Sequence, residues 1–440
     1  MSTTLGAAAA ATGGVLHADP ETAYDTVVID SRAARPGALF VALAGDHVDG
    51  HDFVENARAA GAVAALVERP VGTPHLLVPD AVQALAALAS AHRDRLSARV
   101  TGVTGSAGKT STKDLLAAVL AESGPTVAPP GSFNNDLGAP LTVLRADRAT
   151  RHLVVEMGAR AVGDVARLSA MARPNTAVVL NVGSAHLGEF GSREAIAAAK
   201  GELVDAATDL AVLNADDPLV AAMSTRARAA VRTFGATGDV RAESVDLDAG
   251  GRPVFRLVAP EGSTPVRMLL VGAHQVGNAL AAATVGLAEG LPIEVVGAAL
   301  NRSRPASRWR MEVTETAAGV TVVNDAYNAN PESMRAALDA LTAMKAGRRL
   351  AVLGPMAELG DAADEAHAEV TRYARSLDVD RVVAVGAPAY GADDDVPDVD
   401  AAAVLLAAEL RPGDVVLVKA SRAAALDRLA ARLVRQDDPS

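Results

Sequence analysis

Residues 102–111 constrain the fold more than any other stretch of this sequence; they read Gly-Val-Thr-Gly-Ser-Ala-Gly-Lys-Thr-Ser. A strand-like run over residues 98–104 leads into them, and a run with helical spacing over residues 112–120 follows. Glycines let the backbone curl so that consecutive N–H groups face an anion, and the N-terminus of the following helix adds its positive dipole end. The pattern predicts a phosphate-binding loop between a strand and a helix; the alternative is a Gly-rich turn with an exposed lysine.

Two side chains of this loop suit the phosphates of a nucleotide. Lys109 would reach the outer phosphates, and Thr110 would offer its hydroxyl to magnesium. The spacing differs from the strict P-loop pattern, because position 103 is valine and glycines stand at 102 and 105. We therefore predict a particular subtype of nucleotide-binding loop, whose ATP-binding residues are Thr104, Gly105, Ser106, Gly108, Lys109, Thr110 and Ser111.

Composition excludes several classes of function. The chain has 53 acidic and 41 basic residues, a net charge of −12, which argues against nucleic acid as the partner because phosphate backbones need a basic surface. It has no cysteine, which excludes disulfides, zinc thiolate sites and thiol nucleophiles. We see neither a signal peptide nor an apolar run long enough for a membrane helix, so we expect a cytoplasmic enzyme with no membrane span.

The order of strand-like and helical runs predicts an α/β protein of three domains. We place them at residues 1–96, 97–307 and 308–440, with the second boundary near a polar, proline-containing connector. The first is a small α/β domain, and the second is a parallel sheet built around the phosphate loop. The third is Rossmann-like but lacks the Gly-rich fingerprint of dinucleotide sites. Residues 391–400 are acidic and irregular, and we expect a solvated loop there.

Three polar side chains of the middle third lie where ligands gather in open α/β sheets, near the carboxyl ends of strands. Glu156 ends one strand-like run, His186 follows the next, and Lys200 lies in a helical run. Each has an ordinary alternative role: a capping carboxylate, a hydrogen-bonded structural histidine and a solvated lysine. Around magnesium and a triphosphate, the oxygens of Glu156 and Thr110 fit the metal better than His186 does.

Further candidates lie beyond the middle third. Asn278 opens a helical run, where it would read a base edge or simply pack. Asp325 and Tyr327 belong to Asn-Asp-Ala-Tyr-Asn-Ala-Asn-Pro, a segment that would bind a ligand or form a plain turn. Arg310 lies at the second domain boundary, where a guanidinium would reach phosphates held by a neighbouring domain or stay on the surface.

Taken together, these motifs resemble the Mur ligase family over nearly the whole chain. The resemblance rests on Asp30-Ser-Arg and Asp49-Gly-His-Asp-Phe in the first domain. In the middle it rests on Thr104-Gly-Ser-Ala-Gly-Lys-Thr, Gly131-Ser-Phe-Asn-Asn-Asp, Glu156-Met-Gly-Ala-Arg and Ala199-Lys-Gly-Glu. In the last domain it rests on Asn324-Asp-Ala-Tyr-Asn-Ala-Asn-Pro and Met356-Ala-Glu-Leu-Gly. The Phe-Asn-Asn and Asp-Ala-Tyr segments are similar to the family members that add D-alanyl-D-alanine.

The resemblance implies an ATP-dependent amide ligase that joins D-alanyl-D-alanine to UDP-N-acetylmuramoyl-tripeptide through an acyl phosphate. It implies that Lys109, His186 and Lys200 are catalytic and that two magnesium ions take part. Thr110 and Glu156 would hold the first ion, and His186 the second. The family lysine that matches Lys200 is carbamylated, which turns a cation into an anionic metal ligand.

The resemblance also assigns substrate-binding residues. It implies that Asn278, Arg310, Asp325 and Tyr327 hold ATP. It further implies a UDP-sugar site in the first domain and a peptide path in the second, formed by Ser31, Arg32, Asp49, His51, Asn134 and Asn135. The third domain would close on ATP about a hinge at residues 303–310, and we expect a monomer.

Two other functions stay open. One is the family member that adds a single amino acid as the third residue, which the absence of its Asp-Asn-Pro-Arg motif disfavours. The other is a P-loop protein that uses ATP as a conformational switch without ligation. In such a protein the set of Glu156, His186 and Lys200 would be superfluous.

Overall fold

The computed structural model describes residues 3–45, 48–183 and 187–435, and in them the chain forms four larger sheets and one short strand pair. His186 is outside the described residues. Among the described helices, none is both long and apolar enough to cross a bilayer. The strand and helix order confirms the predicted three-part α/β organisation, whereas the exact boundaries 96/97 and 307/308 stay predictions.

The N-terminal part is a five-stranded sheet in the order β2-β7-β6-β5-β4, parallel except for the β2–β7 pair. Strands β1 and β3 form a separate antiparallel pair. The helices pack alanine and leucine side chains against the sheet. The elements are β1 (Thr3–Thr4), α1 (Leu5–Thr12), β2 (Val15–His17), β3 (Ala23–Tyr24), β4 (Thr26–Val28), β5 (Ala38–Val41), α2 (Val54–Ala59), β6 (Ala64–Val67), β7 (His75–Leu77) and α3 (Ala81–Arg93).

The central part holds a six-stranded, wholly parallel sheet in the order β13-β12-β11-β8-β10-β9. Its strands are near-continuous apolar runs because helices cover both faces. The elements are β8 (Arg99–Thr104), α4 (Lys109–Leu120), β9 (Thr126–Val127), α5 (Gly138–Leu144), β10 (His152–Glu156), α6 (Asp164–Ala172), β11 (Thr176–Val179), α7 (Leu187–Phe190), α8 (Arg193–Ala206), β12 (Leu210–Asn214), α9 (Pro218–Ala221) and β13 (Ala230–Phe234).

Alternation of strands and helices does not continue to the second boundary, which corrects the expected pattern. A three-stranded antiparallel sheet, β14 (Arg241–Leu247), β15 (Pro253–Ala259) and β16 (Gly262–Arg267), comes next. It covers helices α10 (Gln275–Ala288) and α11 (Ile293–Arg302), and the apolar residues of β15 and β16 join the core beneath α4. The alternation of exposed and buried residues along β15 is typical of a sheet with one solvated face.

The C-terminal part is a six-stranded sheet in the order β17-β18-β22-β19-β20-β21, parallel except for the β17–β18 pair. The prediction of a solvated loop at residues 391–400 is wrong in part. An edge strand and the start of a helix lie there, and the carboxylate of Asp398 caps that helix by accepting from Ala401 N at 2.9 Å. The elements are β17 (Glu312–Glu315), β18 (Thr321–Asp325), α12 (Pro331–Ala343), β19 (Arg349–Leu353), α13 (Ala363–Ser376), β20 (Arg381–Val385), β21 (Asp394–Val396), α14 (Val399–Glu409), β22 (Val415–Lys419) and α15 (Asp427–Arg435).

The packing of α10 on α4 generates a stability prediction. A Cβ at Gly286 would collide with Val119 Cγ1, whereas a Cβ at Gly277 on the same helix meets nothing within 4 Å. Overpacking costs about 1–3 kcal/mol, more than the roughly 1 kcal/mol that alanine gains over glycine in a helix. Gly286→Ala should therefore lower the thermal unfolding midpoint, and Gly277→Ala should leave it unchanged or raise it. Equal midpoints for the two variants would contradict this packing.

Candidate active site

A cavity of about 600 Å³ lies at the carboxyl ends of the central strands, between that sheet and the C-terminal part. Most of the ATP, metal and peptide residues predicted in the central and C-terminal parts lie in this cavity. His186 is outside the described residues. Thr104 ends β8 and Gly105 follows it, and neither residue lines the cavity. The predicted residues that line the cavity are Ser106, Gly108, Lys109, Thr110, Ser111, Asn134, Asn135, Glu156, Lys200, Asn278, Arg310, Asp325 and Tyr327.

The phosphate loop leads into α4 through Gly108, whose φ of +80° lies in the left-handed region. The first hydrogen bond of the helix runs from Thr112 N to Gly108 O at 2.9 Å, so the N–H groups of its first turn have no acceptor within the helix. Asn181, which sequence reasoning missed, holds the other side of the loop by accepting from Ala107 N at 2.9 Å. The loop and the start of α4 therefore have the geometry of an anion-binding site.

Thr110 is the centre of a cluster of oxygen atoms. Its hydroxyl lies 2.7 Å from the hydroxyl of Ser132 and 3.1 Å from Oε2 of the buried Glu156. Asn134 donates from Nδ2 to Glu156 Oε1 at 2.7 Å. Hydroxyl and carboxylate oxygens are the ligands that Mg²⁺ prefers, so this donor set fits the ion. Ser132 was missed, although it lies inside a motif that the resemblance used.

Arg310 reaches this cluster from the connector before β17. Its terminal nitrogen donates to Ser132 Oγ at 2.9 Å and to Thr110 Oγ1 at 3.3 Å. Its guanidinium carbon lies 4.3 Å from the centre of the Tyr327 ring, a cation–π contact. Its buried Nε has no hydrogen-bond partner among the described residues, which leaves a charged donor for a ligand oxygen.

Two buried lysines of the site have lowered pKa values. Lys109 donates to Gly105 O at 2.6 Å, and burial lowers the pKa of its ammonium, with Arg310 lowering it further against the opposing effect of Glu156. Lys200, on α8, is 3% exposed, and burial together with the charge of Lys109 lowers its pKa to about 7. A polyanion such as a triphosphate would relieve this repulsion.

Asn278 and Asp325, which also line the cavity, have partners within the protein. Asn278 Oδ1 accepts from Thr112 Oγ1 at 3.1 Å, and Nδ2 donates to Gln275 Oε1 at 2.9 Å. Asp325 forms an ion pair with the buried Lys419, which faces it across the β18–β22 register. Sequence reasoning missed Lys419, although it ends a predicted strand in the same way as Asp325.

The four candidates of the N-terminal part do not line this cavity. Ser31 and Arg32 lie in a turn after β4, where the exposed Arg32 pairs with Asp30 and its hydrogen bonds lower the pKa of Asp30 to about 2. Both ring nitrogens of His51 are hydrogen-bonded. Nδ1 lies 2.6 Å from Asp49 Oδ1, and Nε2 accepts from Glu68 N at 3.0 Å. A role in holding a UDP-sugar stays a prediction for all four.

Comparisons with known proteins agree with this geometry. Three family models match successive parts of the chain: the "Mur ligase family, catalytic domain" at residues 23–104, the "Mur ligase middle domain" at 103–286 and the "Mur ligase, glutamate ligase domain" at 309–438. A UDP-N-acetylmuramoyl-tripeptide–D-alanyl-D-alanine ligase of Mycobacterium tuberculosis (strain ATCC 25618 / H37Rv) is 49% identical over 471 residues, covering 94% of this chain and 92% of that protein. The chain belongs to the Mur ligase family.

Solved structures of Mur ligases share the whole architecture. MurF from Acinetobacter baumannii is 33% identical and superposes with a TM-score of 0.89 over 99% of each chain. MurF from Thermotoga maritima in complex with ADP is 32% identical, with a TM-score of 0.82 over 93% of this chain and 97% of that one. The three-domain Mur ligase fold expected from the sequence is therefore confirmed.

The geometry of the loop predicts what a side chain at position 108 would do. In Gly108→Ala, the added Cβ would lie 2.5 Å from Asn278 Oδ1 in a left-handed backbone. We expect the affinity for ADP, measured by titration calorimetry, to fall at least tenfold, about 1.4 kcal/mol. Gly391→Ala is the control, since its φ is +55° but nothing lies within 4 Å of the added atom. Equal ADP affinities for both variants would contradict the close fit.

Proposed function

We propose that this Mur ligase joins D-alanyl-D-alanine to the terminal carboxylate of UDP-N-acetylmuramoyl-tripeptide at the expense of ATP. The reaction named for relatives that match nearly the whole chain supports the substrates. One structural observation carries the chemistry. Arg310, from beyond the central sheet, meets the phosphate loop and the Glu156 carboxylate in one cavity.

The reaction has two steps. A carboxylate oxygen of the tripeptide attacks the γ-phosphorus and ADP leaves, giving an acyl phosphate. The amine of D-alanyl-D-alanine then attacks the acyl carbon, loses a proton and expels phosphate. Catalysis of phosphoryl transfer consists mainly of positioning and of neutralising the phosphate oxygens. In our proposal that neutralisation comes from Lys109, from the N–H groups of the first turn of α4 and from Arg310, whose Nε has no partner in the described part of the chain.

Magnesium would neutralise phosphate charge when bound. Thr110 and Glu156 are the proposed ligands of the first ion, since their oxygens already lie within 3.3 Å of each other. His186 is the proposed ligand of the second ion, and it lies outside the described residues. Asn134 fixes the orientation of Glu156 through its amide.

Lys200 is proposed to act as a carbamate. Its neutral amine would add to the carbon of CO₂ and release one proton, which yields a carboxylate beside Lys109. A pKa near 7 favours this reaction because the amine is half neutral at pH 7. The product would also turn the repulsion between the two lysines into attraction.

The remaining assignments complete the proposal. The first domain would hold the UDP-sugar through Ser31, Arg32, Asp49 and His51, and Asn134 and Asn135 would line the path of the peptide. Binding energy from that distant end would orient the reacting carboxylate. We further propose that the enzyme works as a monomer in the cytoplasm.

The assignment predicts a strict dependence of phosphate release on both substrates. With ATP, magnesium and UDP-N-acetylmuramoyl-tripeptide, release should become sustained only when D-alanyl-D-alanine is added. Free amino acids should not replace the dipeptide. Turnover with a single amino acid would instead indicate the ligase that adds the third residue, and no product with any acceptor would indicate an ATP switch.

Carbamylation of Lys200 predicts a particular pH profile. The folded pKa lies near 7, below the ordinary lysine value of about 10.4, so neutral amine accumulates as pH rises from 6 to 8. At fixed CO₂ pressure, the carbamate ¹³C resonance from labelled CO₂ should rise over that range and then level off.

Two variants make the test specific. Lys200→Ala should lack the resonance and lose activity that short carboxylates partly restore, while Lys345→Met, at an exposed lysine, should keep both. Full activity of Lys200→Ala without added carboxylate would reject the role.

A further inference from the structure

Lys113 is a buried cation that the proposed reaction does not use. It lies on α4, one turn beyond Lys109, and is 2% exposed. Its ammonium pairs with Asp114 and donates to Pro129 O at 2.9 Å and to Ser307 Oγ at 3.2 Å. All three of its donor positions are therefore used, each toward a different segment.

These contacts fix the start of the connector to the helix of the phosphate loop. Asp114 accepts from Ser307 N at 3.1 Å through its second carboxylate oxygen, while its first pairs with Lys113. Ser307 is thus held through both its N–H and its hydroxyl. It is itself buried and lies three residues before Arg310.

The other end of the connector is fixed to the C-terminal sheet. Met311 N donates to Asp325 Oδ1 at 3.1 Å, and β17 begins at the next residue. Between the two anchors stand residues 308–310. Trp309 and Met311 have φ of +58° and +49°, a left-handed conformation that non-glycine residues keep only where the surroundings enforce it.

Lys113 also supports the partner of Arg310. Pro129, whose carbonyl it binds, lies three residues before Ser132, and Ser132 Oγ accepts from Arg310 at 2.9 Å. The ammonium of Lys113 therefore supports both residues of this contact: it binds Ser307, near Arg310, and Pro129, near Ser132.

We propose that Lys113, with Asp114, is a positioning residue for Arg310. It fixes the connector up to Ser307, so that closing of the C-terminal domain swivels about residues 308–310 and delivers the guanidinium to the phosphates. The proposal rests on the proposed function, since it assumes that Arg310 contacts phosphate during ligation.

Lys113→Met tests this in the full-length enzyme. We expect kcat/KM for ATP to fall about 10²-fold, because misplacing a group by roughly 1 Å has about this cost. KM for the UDP-tripeptide should be unchanged. Ser307→Ala, which removes one bond and keeps the N–H, should show the same pattern more weakly. Lys345→Met is the matched control and should behave as wild type. If Lys113→Met unfolds, the comparison between Ser307→Ala and wild type decides.

A double-mutant cycle with Arg310→Ala separates positioning from general stability. If Lys113 acts through Arg310, its loss should change kcat/KM less than threefold in the Arg310→Ala background. An equal loss in both backgrounds, or wild-type kinetics for both Lys113→Met and Ser307→Ala, would overturn the proposal. Absence of ligation by the wild-type protein would instead refute the proposed function.

The single tryptophan, Trp309, gives a readout that does not need activity. Its ring lies 4.2 Å from the guanidinium carbon of Arg422 and 6.4 Å from the Tyr327 ring. Release of the connector in Lys113→Met should increase quenching of its emission by acrylamide, whereas Lys345→Met should leave quenching unchanged. Identical quenching in Lys113→Met and wild type would contradict the anchoring.

Discussion

The site depends on the repulsion among Lys109, Lys200 and Arg310, which line one cavity. Glu156 attracts Lys109, whereas Arg310 repels it, and Lys109 in turn repels Lys200. Burial strengthens these effects because water screens the charges poorly. Such an arrangement is stabilised by an anionic ligand and costs free energy without one. Burial, together with the charge of Lys109, lowers the pKa of Lys200 to about 7, and this is the basis of its proposed carbamylation.

The fold brings these charges together from different segments. The parallel central sheet places the phosphate loop and Glu156 at the same edge, because the carboxyl ends of neighbouring strands coincide. The connector before β17 supplies Arg310, and the C-terminal part supplies Tyr327, whose ring Arg310 contacts. In our proposal this divided set is complete only when the two parts are close, so that closure of the domains would be linked to the chemistry.

The sequence predicted the local features well because they depend on nearby residues. The glycine loop, the strand before it and Glu156 at a strand end follow from turn chemistry and hydrophobic runs. The burial of Lys200 in the site could not be predicted from local pattern, because a lysine in a helical run is ordinarily solvated. Only the family resemblance suggested otherwise. The contact of Arg310 with Ser132 joins residues 178 apart, and no local pattern encodes it. The antiparallel β14–β16 sheet was missed for a related reason, because most residues of β14 are exposed or half-buried and form no clear apolar run.

The central claim is that the γ-phosphate of ATP is transferred to the peptide carboxylate held beside these cations. It is tested most directly with UDP-N-acetylmuramoyl-tripeptide whose terminal carboxylate carries ¹⁸O, in a complete reaction with ATP and D-alanyl-D-alanine. The acyl phosphate route predicts that each phosphate released contains one oxygen from that carboxylate, detected by mass spectrometry. Phosphate free of ¹⁸O, with the lost carboxylate oxygen found in water or in AMP, would contradict it.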